Sequence, residues 1–214
     1  MTTSTQFWDK IAAKYAAQPI ADEAAYQHKL QVTRDYLRPD MELLEIGCGT
    51  GSTALVHAPY VSHIQAIDFS AQMIAIAQAK ANAAQIENVT FTQARLEELN
   101  HPPESLDMVL GLSILHLLED KETAIAHIYA QLKPGGYFVS STACLGDTMG
   151  WFRFIAPIGR ALGFFPFVAV FTTPALVDSL TQAGFELDYQ WQPKPGKAVF
   201  IIAKKPEDRA SQSD

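Results

Sequence analysis

The chain has 214 residues, 48% of them hydrophobic and 18% charged, which suits one α/β domain with additions and enough apolar surface for a substantial core. Its net charge of −7 offers no attraction to phosphate backbones and argues against nucleic acid as a partner. The two cysteines, Cys48 and Cys144, rule out a disulfide framework, and no stretch approaches the roughly 20 apolar residues of a membrane span.

Met1–Gln6 has neither the basic start nor the long apolar run of a secretion signal, so a cytoplasmic location is expected. Residues 1–5 read as a loose end. Phe7, Trp8, Ile11 and Tyr15 recur at helical spacing and predict a helix over 7–17, interrupted by Pro19. A second helix is predicted from Asp22 to about Leu37, ended by Arg38-Pro39-Asp40. Strands and helices then alternate. Strands are expected at 42–46, 64–67, 89–92 and 105–110. Helices are expected at 52–58, 71–84 and 121–132. Lys133-Pro134-Gly135-Gly136 reads as a turn and 137–142 as a strand. A helix at 174–183 stops at Gly184, and two closing strands follow at 185–191 and 197–203. With only 192–196 between them, those two must run antiparallel. Residues 206–214 read as a polar, disordered tail. The βα alternation predicts a mostly parallel sheet of seven strands, with helices on both faces and an antiparallel last strand.

Gly47-Cys48-Gly49-Thr50-Gly51 follows the first strand, where an open α/β sheet binds its ligands. Asp68 ends the next strand, where a carboxylate accepts from the ribose hydroxyls of an adenosine group. The spacing is G-x-G-x-G, with Ser52 where a dinucleotide fingerprint carries its third glycine. Glu45, two residues before the loop, repels a pyrophosphate and suits an ammonium. The pattern therefore favours an adenosyl cofactor carrying a cation, S-adenosylmethionine, over a nicotinamide dinucleotide.

These residues resemble the class I S-adenosylmethionine-dependent methyltransferases, especially the small-molecule group that includes quinone-biosynthesis enzymes. Leu44–Gly51 matches their first motif and Ala66–Met73 their ribose and adenine segment. Leu106–Leu110 with Leu115-His116 matches the fourth strand and its loop. Leu132–Gly136 matches the turn before the fifth strand. The resemblance implies a Rossmann-like class I methyltransferase fold, with S-adenosylhomocysteine as product. It places Phe69 and Met73 against the adenine, Arg95 and Leu96 on its other edge, and the Leu112 carbonyl on the methionine ammonium. Tyr15, in a helix expected to close over the cofactor, joins Glu45, Gly47, Cys48, Gly49, Gly51 and Asp68 as a cofactor contact. Arg95 departs from the family, which commonly has Asp there; pairing with Glu97 or Glu98 is its other reading. Cys48 lacks a nearby activating cation and reads as a loop filler.

For the acceptor, His116 is the candidate general base and substrate contact. Tyr26 and His28 in the N-terminal helices, and Trp151, Arg153 and Phe154 in the segment 147–172, are the remaining candidates. Trp8 reads as packing. His57, His63, His101 and His127 lack metal-ligand spacing, so no metal is expected. Segment 147–172 holds half of the twelve phenylalanines, and its prolines and glycines argue against one long helix. Three readings stand: a hydrophobic lid over an apolar or aromatic acceptor, which is preferred; burial against the sheet or a second subunit, as in a homodimer; and transient membrane contact. The expected organisation is a helical cap at 1–39, a methyltransferase domain at 40–205 with the lid inserted at about 146–173, and the tail. The expected function is methyl transfer to a small apolar or aromatic molecule. The alternatives are a catalytically silent S-adenosylmethionine-binding regulatory protein and a membrane-associated lipid or quinone methyltransferase.

Overall fold

Two strands near the end of the chain decide how its sheet is closed. Val199–Lys204 is apolar at five successive positions, and all five are buried. Glu186–Trp191 alternates exposed and half-buried residues. A strand that is apolar on both faces belongs inside a sheet, and an alternating one at its edge.

A computed structural model of the chain describes residues 3–99, 101–161 and 166–207, without the side chains of 3, 158, 160 and 161. Its strands are β1 (Glu42–Ile46), β2 (His63–Asp68), β3 (Val89–Gln93), β4 (Leu106–Leu112), β5 (Leu132–Thr142), β6 (Glu186–Trp191) and β7 (Val199–Lys204). They form one sheet in the order β3-β2-β1-β4-β5-β7-β6. The first five are parallel, and β7 inserts antiparallel between β5 and the edge strand β6. The antiparallel closing pair is as expected. That β7 also pairs with β5 follows from its two-sided burial.

The helices are α1 (Thr3–Ala17), α2 (Glu23–Arg34), α3 (Ser52–His57), α4 (Ala71–Ala84), α5 (Lys121–Gln131), α6 (Phe152–Ala161) and α7 (Thr173–Gln182). Side-chain caps start several of them: Asp22 accepts from the Ala25 amide, Ser70 from Met73, Asp120 from Thr123 and Thr172 from Ala175. One face of the sheet packs Leu44, Val109 and Phe138 against Ile125 and Ile128 of α5 and Leu176 and Leu180 of α7. The other packs Leu43, Met108, Val139 and Phe200 against α3, α4 and α2. Each of these fully buried side chains contributes about 1.5–3 kcal/mol.

Two expectations need correction. The N-terminal residues are not a loose end through residue 5: α1 begins at Thr3. The Lys133–Gly136 segment is not a turn before the strand but the irregular start of β5. Its pairing with β4 skips from Leu106↔Leu132 to Met108↔Tyr137. Gly135, at φ +78°, donates to the Lys205 carbonyl, and Gly136 accepts from the Lys205 amide, so the kink is absorbed in the ladder. Within 147–172 a ten-residue helix, α6, forms with Pro157 inside it. Leu162, Gly163, Phe164 and Phe165, the Arg160 side chain and most of the expected tail lie outside the described residues.

Candidate active site

The loop after β1 is held by its neighbours before any ligand is considered. The Cys48 amide donates to the Ile67 carbonyl at 2.9 Å, tying the loop to β2. Gly47 and Gly51 lie at φ +63° and +74°, which side chains disfavour. A Cβ at Gly47 would meet Ile114 Cδ1 at 2.6 Å. Gly49 faces Tyr15, 3.9 Å beyond the place a Cβ would occupy.

At the end of β2, one carboxylate oxygen of Asp68 accepts from the Gly49 amide at 2.9 Å and the other from the Ser70 amide at 2.8 Å. Burial raises the Asp68 pKa; these two amides oppose the shift, and Asp9 adds to it. Each oxygen keeps lone pairs for a ribose hydroxyl. Asp9 of α1 accepts from the Ser70 hydroxyl at 2.6 Å, which fastens α1 beside this carboxylate.

Glu45 is 3% exposed, and its Oε2 has no hydrogen-bond partner. Burial pushes its pKa up to about 8, against the Ala54 amide, and Asp68 raises it further. An ionised carboxylate in such a place requires a cation.

Beside Asp68 lies a cavity of about 300 Å³. Of the sequence-predicted cofactor residues, Gly47, Asp68, Phe69, Arg95 and Leu96 line it. The Arg95 guanidinium sits 5.1 Å over the Phe69 ring, and the Arg95 amide donates to Glu98 at 2.9 Å, so the pairing with Glu98 is made through the backbone. Tyr15 stands over the loop; burial and the nearby Asp68 raise its pKa. Cys48 is buried, and burial pushes its thiol well above the usual value. Leu112 ends β4 and packs on the α2 side of the sheet.

The remaining candidates lie as follows. Met73 is 2% exposed, is not among the residues lining the cavity, and donates its amide to the Ser70 hydroxyl. His28 lies against β6, its ring 4.2 Å from Trp191 and its Nε2 3.0 Å from the Tyr189 hydroxyl. Trp151 and Phe154 are 59% and 72% exposed, and Arg153 bonds back to the Gly150 carbonyl. None of these three lines the cavity; Pro166 and Phe167 of the same segment do. His116, in the 3₁₀ turn Leu115–Leu117, has an Nδ1 that is buried and unpartnered, and burial lowers its pKa to about 4. It is thus a weak base, and its carbonyl accepts from the Ala169 amide at 2.8 Å. Tyr26 lies near Glu45 and Thr53, its pKa raised by burial.

Sequence reading missed Ser4 and Trp8 of α1 and Thr123 and His127 of α5, all of which line the cavity. Trp8 belongs to the apolar stripe of its helix, so spacing alone gave no reason to separate it from core residues. Among the described residues no group of three His, Cys, Asp or Glu could hold a metal ion. No described helix is long and apolar enough to cross a membrane.

A glycine loop, a carboxylate ending β2 and an adjacent cavity at the carboxyl ends of parallel strands define a Rossmann-like protein built for an adenosine-containing cofactor. Residues 43–136 match the methyltransferase domain family. The uncharacterized methyltransferase YcgJ of Bacillus subtilis is 30% identical over 139 residues, 65% of this chain and 54% of its own length. Its crystal structure covers 85% of this chain at TM-score 0.70 and 18% identity. Demethylmenaquinone methyltransferase of Symbiobacterium thermophilum is 26% identical over 174 residues, 78% of this chain and 65% of the relative. The crystal structure of the [4+2]-cyclase SpnF has TM-score 0.79 at 19% identity, covering 96% of this chain and 97% of that one. At these identities the structural likeness is one of fold alone. The chain spans about half the length of several curated relatives it matches. Over residues 43–136 the chain is thus similar to the methyltransferase domain family, on a sheet of Rossmann-like order.

Proposed function

We infer that this chain transfers a methyl group from S-adenosylmethionine to a small acceptor. The observation that carries the reading is the unpartnered Oε2 of buried Glu45 beside the glycine loop. A cofactor with a diphosphate would bring negative charge to this carboxylate; the ammonium of a methionine tail answers it. Asp68 would hold the ribose hydroxyls, Phe69, Arg95 and Leu96 the adenine, and Gly47 and Gly49 the chain between. Trp8 and Tyr15 would shelter the cofactor from α1.

When bound, S-adenosylmethionine supplies a methyl already activated on a positively charged sulfur. The residues around it need only align the acceptor and exclude water. The reading assigns no general base: His116 is held neutral and weakly basic by burial. An acceptor nucleophile that is already anionic or unprotonated suits such a site. A small apolar or aromatic acceptor is supported by Pro166, Phe167, Ile114, Leu117 and Leu118, which line the cavity. A second reading, an acceptor carried in a membrane, is favoured by the exposure of Met149, Trp151, Phe154 and Ile155.

Calorimetry with S-adenosylmethionine, S-adenosylhomocysteine and NAD tests the cofactor: tighter binding of NAD overturns the reading. Transfer of labelled methyl to phenols, quinones, thiols and lipids then identifies the acceptor class. Tight cofactor binding with transfer to none of them favours a silent regulatory protein.

A further inference from the structure

On α2, one turn apart, Tyr26 and Lys29 lie on the side of the helix that faces the sheet. Lys29 Nζ is 3.3 Å from the Ser141 hydroxyl in the carboxyl-terminal half of β5. The Ser141 carbonyl in turn accepts from the Ser113 amide at 2.7 Å, in the turn that leaves β4. Lys29 therefore stands over the ends of β4 and β5, next to the strand that carries Glu45.

Its environment does not account for its charge. The ammonium is half-buried, and among the described residues its one hydrogen-bond partner is a neutral hydroxyl. Burial lowers its pKa, and the charge of Asp22 only partly opposes this. The neighbouring Tyr26 hydroxyl is buried beside the Thr53 side chain, to which it can bond. Immobilising a lysine side chain costs up to about 2 kcal/mol of rotamer entropy before any desolvation, and a lone hydroxyl offsets little of it. On the β6 side of α2 the neighbouring His28 ring packs against Trp191 and bonds to Tyr189.

The geometry points to an oxyanion site at the carboxyl end of β5, in which Lys29 and the Ser141 hydroxyl bind a carboxylate or phenolate-type oxygen, with the Tyr26 hydroxyl as a further donor. This rests on the methyltransferase reading above, which supplies two sources for such an oxygen: the carboxylate of the cofactor's methionine and an oxyanion on the acceptor. Either oxygen would lie where the ends of β4 and β5 meet α2.

The test uses the whole chain, the neutral variants Lys29→Gln and Lys29→Met, and Lys29→Arg, which keeps the charge. Melting curves first confirm that each variant folds. In one arm, calorimetry compares S-adenosylmethionine with its decarboxylated form. In the other, benzoate and salicylate, with their neutral amides as controls, are titrated into protein loaded with S-adenosylhomocysteine. Loss of one charge-assisted hydrogen bond weakens binding by about ten- to a hundredfold. If the neutral variants lose that factor for S-adenosylmethionine but not for the decarboxylated form, the oxygen belongs to the cofactor. If they lose it for the aromatic acids while cofactor binding is unchanged, it belongs to the acceptor. In both cases Lys29→Arg retains most of the affinity. Unchanged affinity for S-adenosylmethionine together with unchanged or absent binding of the acids overturns the proposal. Failure of the unaltered protein to bind either adenosyl compound overturns the methyltransferase reading instead.

Discussion

Asp68 and Gly49 are joined by a hydrogen bond of 2.9 Å from the Gly49 amide to the Asp68 carboxylate. The acidic end of β2 and the glycine loop after β1 are thus one unit, set before a ligand arrives. Asp68→Ala removes both the ribose acceptor and the strut of the loop. S-adenosylhomocysteine affinity is expected to fall by about a hundredfold or more, since two hydrogen bonds to a charged group are lost. Asp68→Asn, which keeps one acceptor oxygen, should fall between. Calorimetry measures both; affinity within threefold of the unaltered protein would show that Asp68 does not hold the cofactor.

Glu45 links cofactor binding to pH. Its folded pKa is raised from 4.5 to about 8, so its contribution to stability is fully present below pH 4.5 and is lost as pH rises towards 8. Glu45→Gln is therefore expected to be more stable than the unaltered protein at pH 8–9 when ligand-free, by roughly 1–4 kcal/mol, with the difference shrinking towards pH 4.5. The same variant should bind S-adenosylhomocysteine at least about tenfold more weakly. In the unaltered protein that affinity should rise between pH 6 and 8, as the carboxylate becomes available. Urea denaturation and calorimetry across this range measure both trends, and an equal pH slope in the variant would contradict the assignment.

His57 acts in the opposite direction. It is 0% exposed with neither ring nitrogen bonded, and burial, then the charge of Arg34, lower its pKa to about 4. The stability this neutral histidine allows is present above pH 6.5 and is lost as pH falls towards 4. His116 adds to the same limb. His57→Leu should flatten the acid limb in part, read as a smaller fall in urea midpoint between pH 7 and 5.

Gly51→Ala tests the loop sterically. The added Cβ would lie 2.7 Å from the Phe91 ring and 2.8 Å from the Ala77 methyl, at a φ of +74°. A loss of about 2–4 kcal/mol is expected. Phe91→Leu in the same chain should recover part of it, giving a non-additive double-mutant cycle.

Trp8 lines the cavity and packs edge-on against Phe7 and Tyr15 at centroid distances of 5.5 and 6.1 Å. Its fluorescence should change when S-adenosylhomocysteine binds. Trp8→Phe should abolish most of that signal, and Trp8→Ala should weaken binding by about tenfold, as for loss of an aromatic contact. A signal that survives in Trp8→Phe would place it on Trp151 or Trp191 instead.

Much of this molecule was legible locally. The strands 42–46 and 89–92 and the helices 71–84 and 121–132 appear within a residue of expectation, because their apolar runs and caps are properties of adjacent residues. The glycine loop and Asp68 were legible for the same reason: a turn at positive φ and a strand-end carboxylate are marked by residue type. The burial of Met73 was not legible, because a helix position alone does not say whether a side chain points up to a ligand or down into the core. The exposure of Trp151 and Phe154 was not legible, because composition marks a segment as apolar without saying which of its faces turns outward.

The amino-acid sequence by itself determined the βα order, the adenosyl loop, and the two-sided burial that draws β7 inside the sheet, since each is written in short-range pattern and residue type. Only the tertiary structure decided what converges on the site from far along the chain. It brought Trp8 and Asp9 of α1 to the end of β2, and Lys29 of α2 to Ser141 of β5. It also left Glu45 without a partner in the interior. Such contacts join residues separated by tens to more than a hundred positions, and their existence depends on helix packing that no local spacing encodes.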